Sequence, residues 1–234
     1  DALALVQERD AVRVVTAEEH VRLEVVPPSS VALFSVASTD PVAMLKEAWE
    51  ALSKGDPHAD DGLALLLEME QLEEAVEHCI EAALFAFEPA VQTALLSAAA
   101  YGARATENAS DLNETVMDAC TTLRVLNILR EGDAGMSLTA MEYELLTPEV
   151  LVDRLLLVNL HKLANDICTH VRMPKDNVVI HWICRKLETS PIQAVSDGAL
   201  MLIIEKKLAS FDSVSVSSIA QVAHSCGRRE LALK

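Results

Sequence analysis

Three pairs of histidine and cysteine are the residues of this 234-residue sequence whose types and spacing come closest to a metal site. The pairs are Cys168 with His170, His181 with Cys184, and His224 with Cys226. Structural zinc takes four such ligands in a tetrahedral arrangement. A Cys-x-His spacing within a helix directs its two side chains about 200° apart, and none of the pairs has the compact spacing of a zinc finger. We predict no metal and no cofactor, with a zinc-dependent enzyme kept as a remote alternative.

Nucleophilic and phosphate-binding chemistry lacks its usual motifs in this sequence. It contains no Gly-x-Ser-x-Gly, no phosphate loop and no Gly-x-Gly-x-x-Gly, and only seven glycines. His78 lies beside Glu74, Glu77 and Glu81, which favour its charged form. A lone histidine on an acidic helix is more typical of a solvated surface. We therefore predict no catalytic residues and a protein that is not an enzyme.

The charge of the sequence excludes two further classes of function. It has 36 acidic and 19 basic residues, a net charge of −17, which would repel nucleic acid and anionic membrane surfaces. The longest apolar runs, such as residues 199–204, are far shorter than the roughly 20 residues of a membrane span. Residues 55–103 contain ten acids and no lysine or arginine. This acidic stretch is either a solvated face or a surface for a basic partner.

The cysteines and the ends of the sequence indicate its context. Five cysteines at irregular spacing, with no Cys-x-x-Cys pair, favour reduced thiols buried among helices over a disulfide framework. No basic segment precedes an apolar core as in a signal peptide. The sequence begins at Asp1 and ends at Lys234 within a predicted helix. We expect it to be a fragment of a longer chain.

The elements that would position these residues are mostly helical. Apolar residues make up 51% of the sequence and aromatic residues only 3%, so alanine, leucine and valine supply the core. Residues 2–7 and 11–16 are β-rich and predict a hairpin. The capping-box spacing of Thr16 and Glu19 predicts a short helix from residue 16 to 26, followed by another that ends at Ala37.

Helices then follow one another to the end of the sequence. We predict helix caps at Asp40 and Thr147, a C-terminal cap at Gly102, and a helix from Asp60 with a bend at Gln71. Further helices are predicted over residues 111–129, 161–171, 174–187, 196–211 and 215–225, and from residue 228. Helical hairpins that recur at roughly 25–35 residues are typical of a solenoid. We predict an all-α fold, an α-solenoid of helical hairpins over residues 17–234, with a residual β-hairpin over residues 1–16.

Six segments resemble, in order, segments of the vacuolar protein sorting-associated protein 16 family. They are residues 72–83, 95–102, 123–127, 151–155, 179–184 and the string Cys226-Gly-Arg-Arg-Glu-Leu-Ala-Leu-Lys234. The last string has Arg229 where the family has threonine. The hairpin resembles the end of the β-propeller that precedes the solenoid in this family.

The resemblance implies a non-catalytic scaffold subunit of the HOPS and CORVET tethering complexes. Such a subunit links the core of the complex to an SM-family subunit, which templates SNARE assembly, while Rab GTPases recruit the complex through other subunits. It implies a cytoplasmic protein, peripheral on late-endosome and lysosome or vacuole membranes, with no direct insertion into them.

The SM-binding helices of this family begin near the end of the present sequence. The resemblance therefore places the edge of a partner-binding site at Gly227, Arg228, Arg229, Glu230 and Leu231. A charged first turn of a helix would also account for these residues. Two rival families stay open: a paralogous SM-binding adaptor that lacks the propeller, and a clathrin-like coat solenoid.

Overall fold

The computed structural model describes residues 2–36, 38–131, 134–191, 195–211 and 214–233, with the backbone alone for Ala2 and Leu3. Three strands open the chain: β1 (Ala2–Gln7), β2 (Ala11–Thr16) and β3 (His20–Glu24). The helices of the described residues are α1 (Pro28–Phe34), α2 (Pro41–Ser53), α3 (Ala59–Glu68), α4 (Leu72–Phe85), α5 (Pro89–Ala103), α6 (Ala109–Glu131), α7 (Ala140–Leu146), α8 (Pro148–Leu157), α9 (His161–Val171), α10 (Asp176–Thr189), α11 (Asp197–Leu208), α12 (Ser217–Ser225) and α13 (Arg229–Ala232). The predicted all-α class with helical hairpins is confirmed.

The β-structured segment is longer than predicted, and the prediction of a short helix over residues 16–26 is wrong. β2 pairs antiparallel with both β1 and β3, and β3 occupies the place of that helix. The Thr16 hydroxyl accepts from the backbone N–H of Glu19 at 2.9 Å, and Thr16 N–H donates to the Glu19 carbonyl. The motif that suggested a helix cap therefore closes the turn between two strands. The predicted end of the next helix, Ala37, lies outside the described residues.

The chain divides into two compact units. The N-terminal unit comprises Asp1–Arg130 and Met136–Leu145, and the C-terminal unit comprises Glu131–Gly135 and Leu146–Lys234. The N-terminal unit has 25 acidic and 8 basic residues, whereas the C-terminal unit has 11 of each. The whole net charge of −17 therefore belongs to the N-terminal unit.

The N-terminal unit is held together by close packing of α4, α5 and α2. Gly102 lies inside α5, where an added Cβ would meet Val76 Cγ2 at 2.8 Å and Leu45 Cδ2 at 2.9 Å. The predicted C-terminal cap at Gly102 is therefore wrong, because this glycine lets two helices approach α5. Cys79 is fully buried in the same core, and burial raises the pKa of its thiol to about 12. Such a thiol stays protonated and unreactive.

The C-terminal unit has a core shared by four helices. Its buried members are Val179, Ile183 and Leu187 of α10, Leu200 and Ile204 of α11, Ile219 and Ala223 of α12, and Leu231 of α13. α8 packs on α9 through apolar faces, and both helices also contact α10. α8 begins at Pro148 as predicted, but the Thr147 side chain makes no capping bond.

Several helices end in the same tight turn, which returns the chain towards its neighbour. In α2, α3, α8 and α12 the last carbonyls accept two backbone N–H groups around one residue with positive φ. Those residues are Gly55, Glu70, Asn159 and Gly227. At Glu70 the turn separates α3 from α4 completely, where the sequence predicted only a bend at Gln71. Among the described residues no helix is long and apolar enough to cross a bilayer.

Candidate functional site

Of the five predicted partner-binding residues, Gly227 and Arg228 lie in the turn between α12 and α13, and Arg229, Glu230 and Leu231 lie in α13. Gly227, with φ +80°, donates its N–H to the His224 carbonyl at 3.0 Å, and the Arg228 N–H donates to the Ala223 carbonyl at 2.9 Å. This pair of bonds is a Schellman motif, which needs a left-handed residue after the helix. A glycine after an apolar helical run is a sequence signal for this turn, and the sequence-based interpretation did not use it.

Arg228 is buried, with 2% of its surface exposed, and its guanidinium joins three parts of the C-terminal unit. Nη1 donates to the Asp197 carboxylate at 2.5 Å and to the Val195 carbonyl at 3.1 Å, and Nη2 donates to the Ser190 carbonyl at 3.0 Å. Arg228 thereby fixes the end of α10 and the start of α11 against the turn that precedes α13. The structure places this residue inside the unit rather than on a docking surface.

The remaining three predicted site residues divide between surface and core. Arg229 and Glu230 are exposed, whereas Leu231 is buried against the cluster of α10, α11 and α12. Arg229 borders a cavity of about 440 Å³ with Gln221, His224 and Leu233. Only the two charged side chains and Gly227 are therefore accessible to another molecule.

The histidines and cysteines that could have bound a metal are not brought together in the described part of the chain. Cys168 is buried and His170 exposed, on different faces of α9 as their spacing predicts. His181 contacts His161 instead of a cysteine, with Nε2 of His161 and Nδ1 of His181 at 2.9 Å. Among the described residues no group of three or more metal-ligating side chains forms a site. The five cysteines are free thiols, of which Cys79 and Cys168 are buried.

Burial of His161 beside His181 makes the stability of the C-terminal unit sensitive to pH. Burial, with added repulsion from His181 and Arg185, lowers the pKa of His161 below its ordinary value. The folded unit therefore prefers neutral His161, whereas the unfolded chain binds a proton near pH 6.5. This contribution to stability is complete above about pH 6.5 and is lost as the pH falls below it.

We expect the urea midpoint of the C-terminal unit to fall between pH 7.5 and pH 5.5. The fall should be smaller in His161→Gln, because glutamine cannot take up the proton. His170→Gln changes an exposed histidine on the same helix and should leave the pH dependence unchanged. An equal pH dependence in the parent chain and His161→Gln would contradict the assignment.

A network of charged side chains in the N-terminal unit was missed by the sequence reasoning. Arg13 donates to the Ser137 carbonyl at 3.1 Å and to Glu142 at 3.4 Å, and it is ion-paired with Glu8. Arg22 is ion-paired with Glu24 and donates to the Ser137 carbonyl at 2.5 Å. These bonds tie the sheet to the segment that leads into α7.

The start of α7 was also missed, although it has a clear sequence signal. Thr139 N–H donates to the Glu142 carboxylate and Glu142 N–H donates to the Thr139 hydroxyl, both at 2.9 Å. This reciprocal pair is a capping box. All ten acidic residues of the stretch 55–103 are exposed, so both interpretations of this stretch stay open.

Comparisons with known proteins match nearly the whole sequence. The family described as "Vps16, N-terminal region" matches residues 1–116. Protein VACUOLELESS1 of Arabidopsis thaliana is 38% identical over 232 residues, 99% of this chain and 26% of its own length. The vacuolar protein sorting-associated protein 16 homolog of Dictyostelium discoideum is 34% identical over 99% of this chain and 27% of its own length. The vacuolar protein sorting-associated protein 16 of Saccharomyces cerevisiae is 31% identical over 96% of this chain and 28% of its own length.

The chain belongs to the Vps16 family. It spans about a quarter of the length of the curated relatives it matches. The predicted resemblance is thereby confirmed. Five of its six segments fall on helices, whereas the sixth begins in the turn between α12 and α13. Residues 72–83 lie on α4 and residues 151–155 on α8. The match to the Vps16 N-terminal region covers the sheet and α1 to α5 in full, all within the N-terminal unit.

Proposed function

We propose that this chain is part of a non-catalytic scaffold subunit of the HOPS and CORVET tethering complexes. Membership of the Vps16 family carries the proposal, because its relatives are named for the vacuole or for vacuolar protein sorting. The packed helical hairpins support a structural role. The mechanism is geometric: packed helices hold other subunits at a fixed spacing. The whole subunit would act peripherally at late-endosome and lysosome or vacuole membranes.

The proposal includes an SM-family subunit as the partner at the end of the chain, with SNAREs and Rab GTPases engaged indirectly. Arg229 and Glu230 are the side chains that would touch this partner, because they are exposed. Arg228 and Leu231 would support them from inside the unit, and Gly227 would direct the chain between α12 and α13.

Pull-down of a purified SM-family subunit tests this placement. We expect the full-length protein to retain the SM-family subunit and residues 1–234 alone to retain at most a trace, because most of the binding surface would lie beyond this segment. Circular dichroism of the fragment should show its helices, so that weak retention reports the missing surface. Strong retention by residues 1–234 would contradict the placement of the site. No retention by the full-length protein would contradict the proposed function.

A further inference from the structure

A cavity of about 500 Å³ in the N-terminal unit has no part in the proposed scaffold role. It lies where β3, the turn before β2, and helices α4, α6 and α7 meet. Its volume is within the range of protein pockets that bind small ligands. The groups that line it decide which ligand it fits.

One part of the cavity is apolar. Leu84 and Phe85 of α4 are half-buried, whereas Val25 and Met141 are 87% and 46% exposed. Exposed apolar side chains beside a cavity gain free energy when a ligand removes them from water. The ligand therefore includes an apolar group.

The carboxylates that line the cavity outnumber its cations. Asp10, Glu81 and Glu144 come from three different elements, and no lysine or arginine of the described chain forms an ion pair with them. The Oδ1 atom of Asp10 is inaccessible to solvent and has no hydrogen-bond partner among the described protein atoms. Because this atom is closed to water, it is closed to a docked cation as well, and the ionic contacts with a ligand fall to the exposed carboxylates of Glu81 and Glu144.

Both arginines in the cavity make contacts within the protein, although Nε of Arg130 is buried without a hydrogen-bond partner among the described atoms. Arg22 is ion-paired with Glu24, and Arg130 donates to the Leu138 carbonyl at 3.3 Å. The guanidinium of Arg130 lies 4.1 Å from the centre of the Phe87 ring, on which Arg22 also stacks at 5.1 Å. Burial raises the pKa of Glu24, and Asp10 and Glu142 add to the rise although Arg22 opposes it. The cavity therefore carries surplus negative charge even with its arginines in place.

We propose that this cavity binds a lysine or arginine side chain from a segment of a partner protein, with a neighbouring apolar side chain of that segment packed on Leu84, Phe85, Val25 and Met141. Charge complementarity selects this occupant, because an anionic ligand would meet Glu81, Glu144 and Asp10. A metal ion is a poorer fit, since the described residues offer no group of three ligands. The proposal is independent of the scaffold role.

Titration of the 234-residue protein with short synthetic peptides tests the proposal. The first peptide is acetyl-Gly-Leu-Lys-Leu-Gly-amide, and the second replaces its lysine by uncharged norleucine. We expect saturable binding of the lysine peptide with a dissociation constant below about 1 mM, and binding of the norleucine peptide at least about tenfold weaker. Absence of saturation by the lysine peptide, or equal binding of both peptides, would overturn the proposal.

Paired variants show whether binding occurs in this cavity. Glu81→Gln with Glu144→Gln removes two lining charges, and we expect it to weaken the lysine peptide about tenfold and to leave the norleucine peptide unchanged. Glu74→Gln with Glu114→Gln removes two exposed charges of α4 and α6 that do not line the cavity. This control should change affinity less than about twofold. An equal loss in both pairs would assign binding to the overall charge and overturn the cavity as the site.

Discussion

Replacement of Arg228 by alanine is expected to destabilise the C-terminal unit by about 3–5 kcal/mol, close to the whole stability of a small unit. The truncation leaves the Asp197 carboxylate without its cation and removes the donors to the Ser190 and Val195 carbonyls. The cost comes mainly from the two carbonyls and from the buried guanidinium, because a buried acceptor that loses its donor costs about 1–3 kcal/mol. The Asp197 side chain is 32% exposed, so water would replace part of its contact.

The two tryptophans allow each unit to be followed separately. Trp49 lies in the N-terminal unit and Trp182 in the C-terminal unit, so Trp49→Phe leaves a fluorescence signal from the C-terminal unit alone. In this background Arg228→Ala should lower the urea midpoint of the Trp182 transition strongly. Arg229→Ala, which removes the adjacent exposed arginine, should change stability by less than about 0.5 kcal/mol. Equal effects of the two substitutions would contradict the structural role of Arg228.

The burial of Arg228 and the exposure of Arg229 also decide how variants of this segment are interpreted in partner-binding experiments. A loss of binding in Arg228→Ala would report an unfolded unit rather than a lost contact. Arg229 and Glu230 are the positions at which a substitution tests the proposed contact, because both are exposed.

Gly102→Ala is expected to destabilise the N-terminal unit by up to about 2 kcal/mol, even though alanine is the better helix former. The new methyl group would lie 2.8 Å from Val76 Cγ2 and 2.9 Å from Leu45 Cδ2, and Leu45 is fully buried. Overpacking of a core typically costs about 1–3 kcal/mol, whereas the higher helix propensity of alanine contributes at most about 1 kcal/mol. Gly102→Val should cost more, because it adds two further methyl groups.

Gly198→Ala is the matched control for this substitution. Gly198 lies in α11, and an added Cβ would meet no atom within 4 Å. The same chemical change should therefore leave the C-terminal unit unchanged or slightly more stable. The Trp49 signal of a Trp182→Phe background would follow Gly102→Ala. A stabilising effect of Gly102→Ala would show that Val76 and Leu45 can move aside.

Local patterns in the sequence were enough to predict most helices. The Asp40 cap followed by Pro41 marks the start of α2, and the Asp40 carboxylate accepts the Val42 N–H at 3.2 Å. The bounds of α9 agree with the prediction at both ends. Such features depend on residues within one turn of each other, so they can be inferred without knowledge of the fold.

The same local motif had two different outcomes in this chain. Thr16 and Glu19 close a turn between strands, whereas Thr139 and Glu142 form a capping box at α7. The residues after Thr16 alternate with the period of a strand and pair with β2 over five positions. Long-range pairing thus decided the first case, and the motif alone does not contain that information.

The candidate site was less predictable than the fold, because burial depends on residues distant in the sequence. Arg228 looked like a surface cation beside Arg229, yet its guanidinium bonds to groups 31 to 38 positions earlier. No spacing rule links these positions. The role of Gly102 likewise depends on Val76 and Leu45, which belong to two other helices.

The confinement of the net charge of −17 to the N-terminal unit means that this unit folds against its own electrostatic self-repulsion, whereas the C-terminal unit does not. Counterions weaken such repulsion, with a screening length of about 8 Å at physiological ionic strength and about 3 Å at 1 M. Added salt therefore acts as a selective stabiliser of one half of the chain. The two halves of a single polypeptide thereby respond differently to the ionic strength of the medium around them.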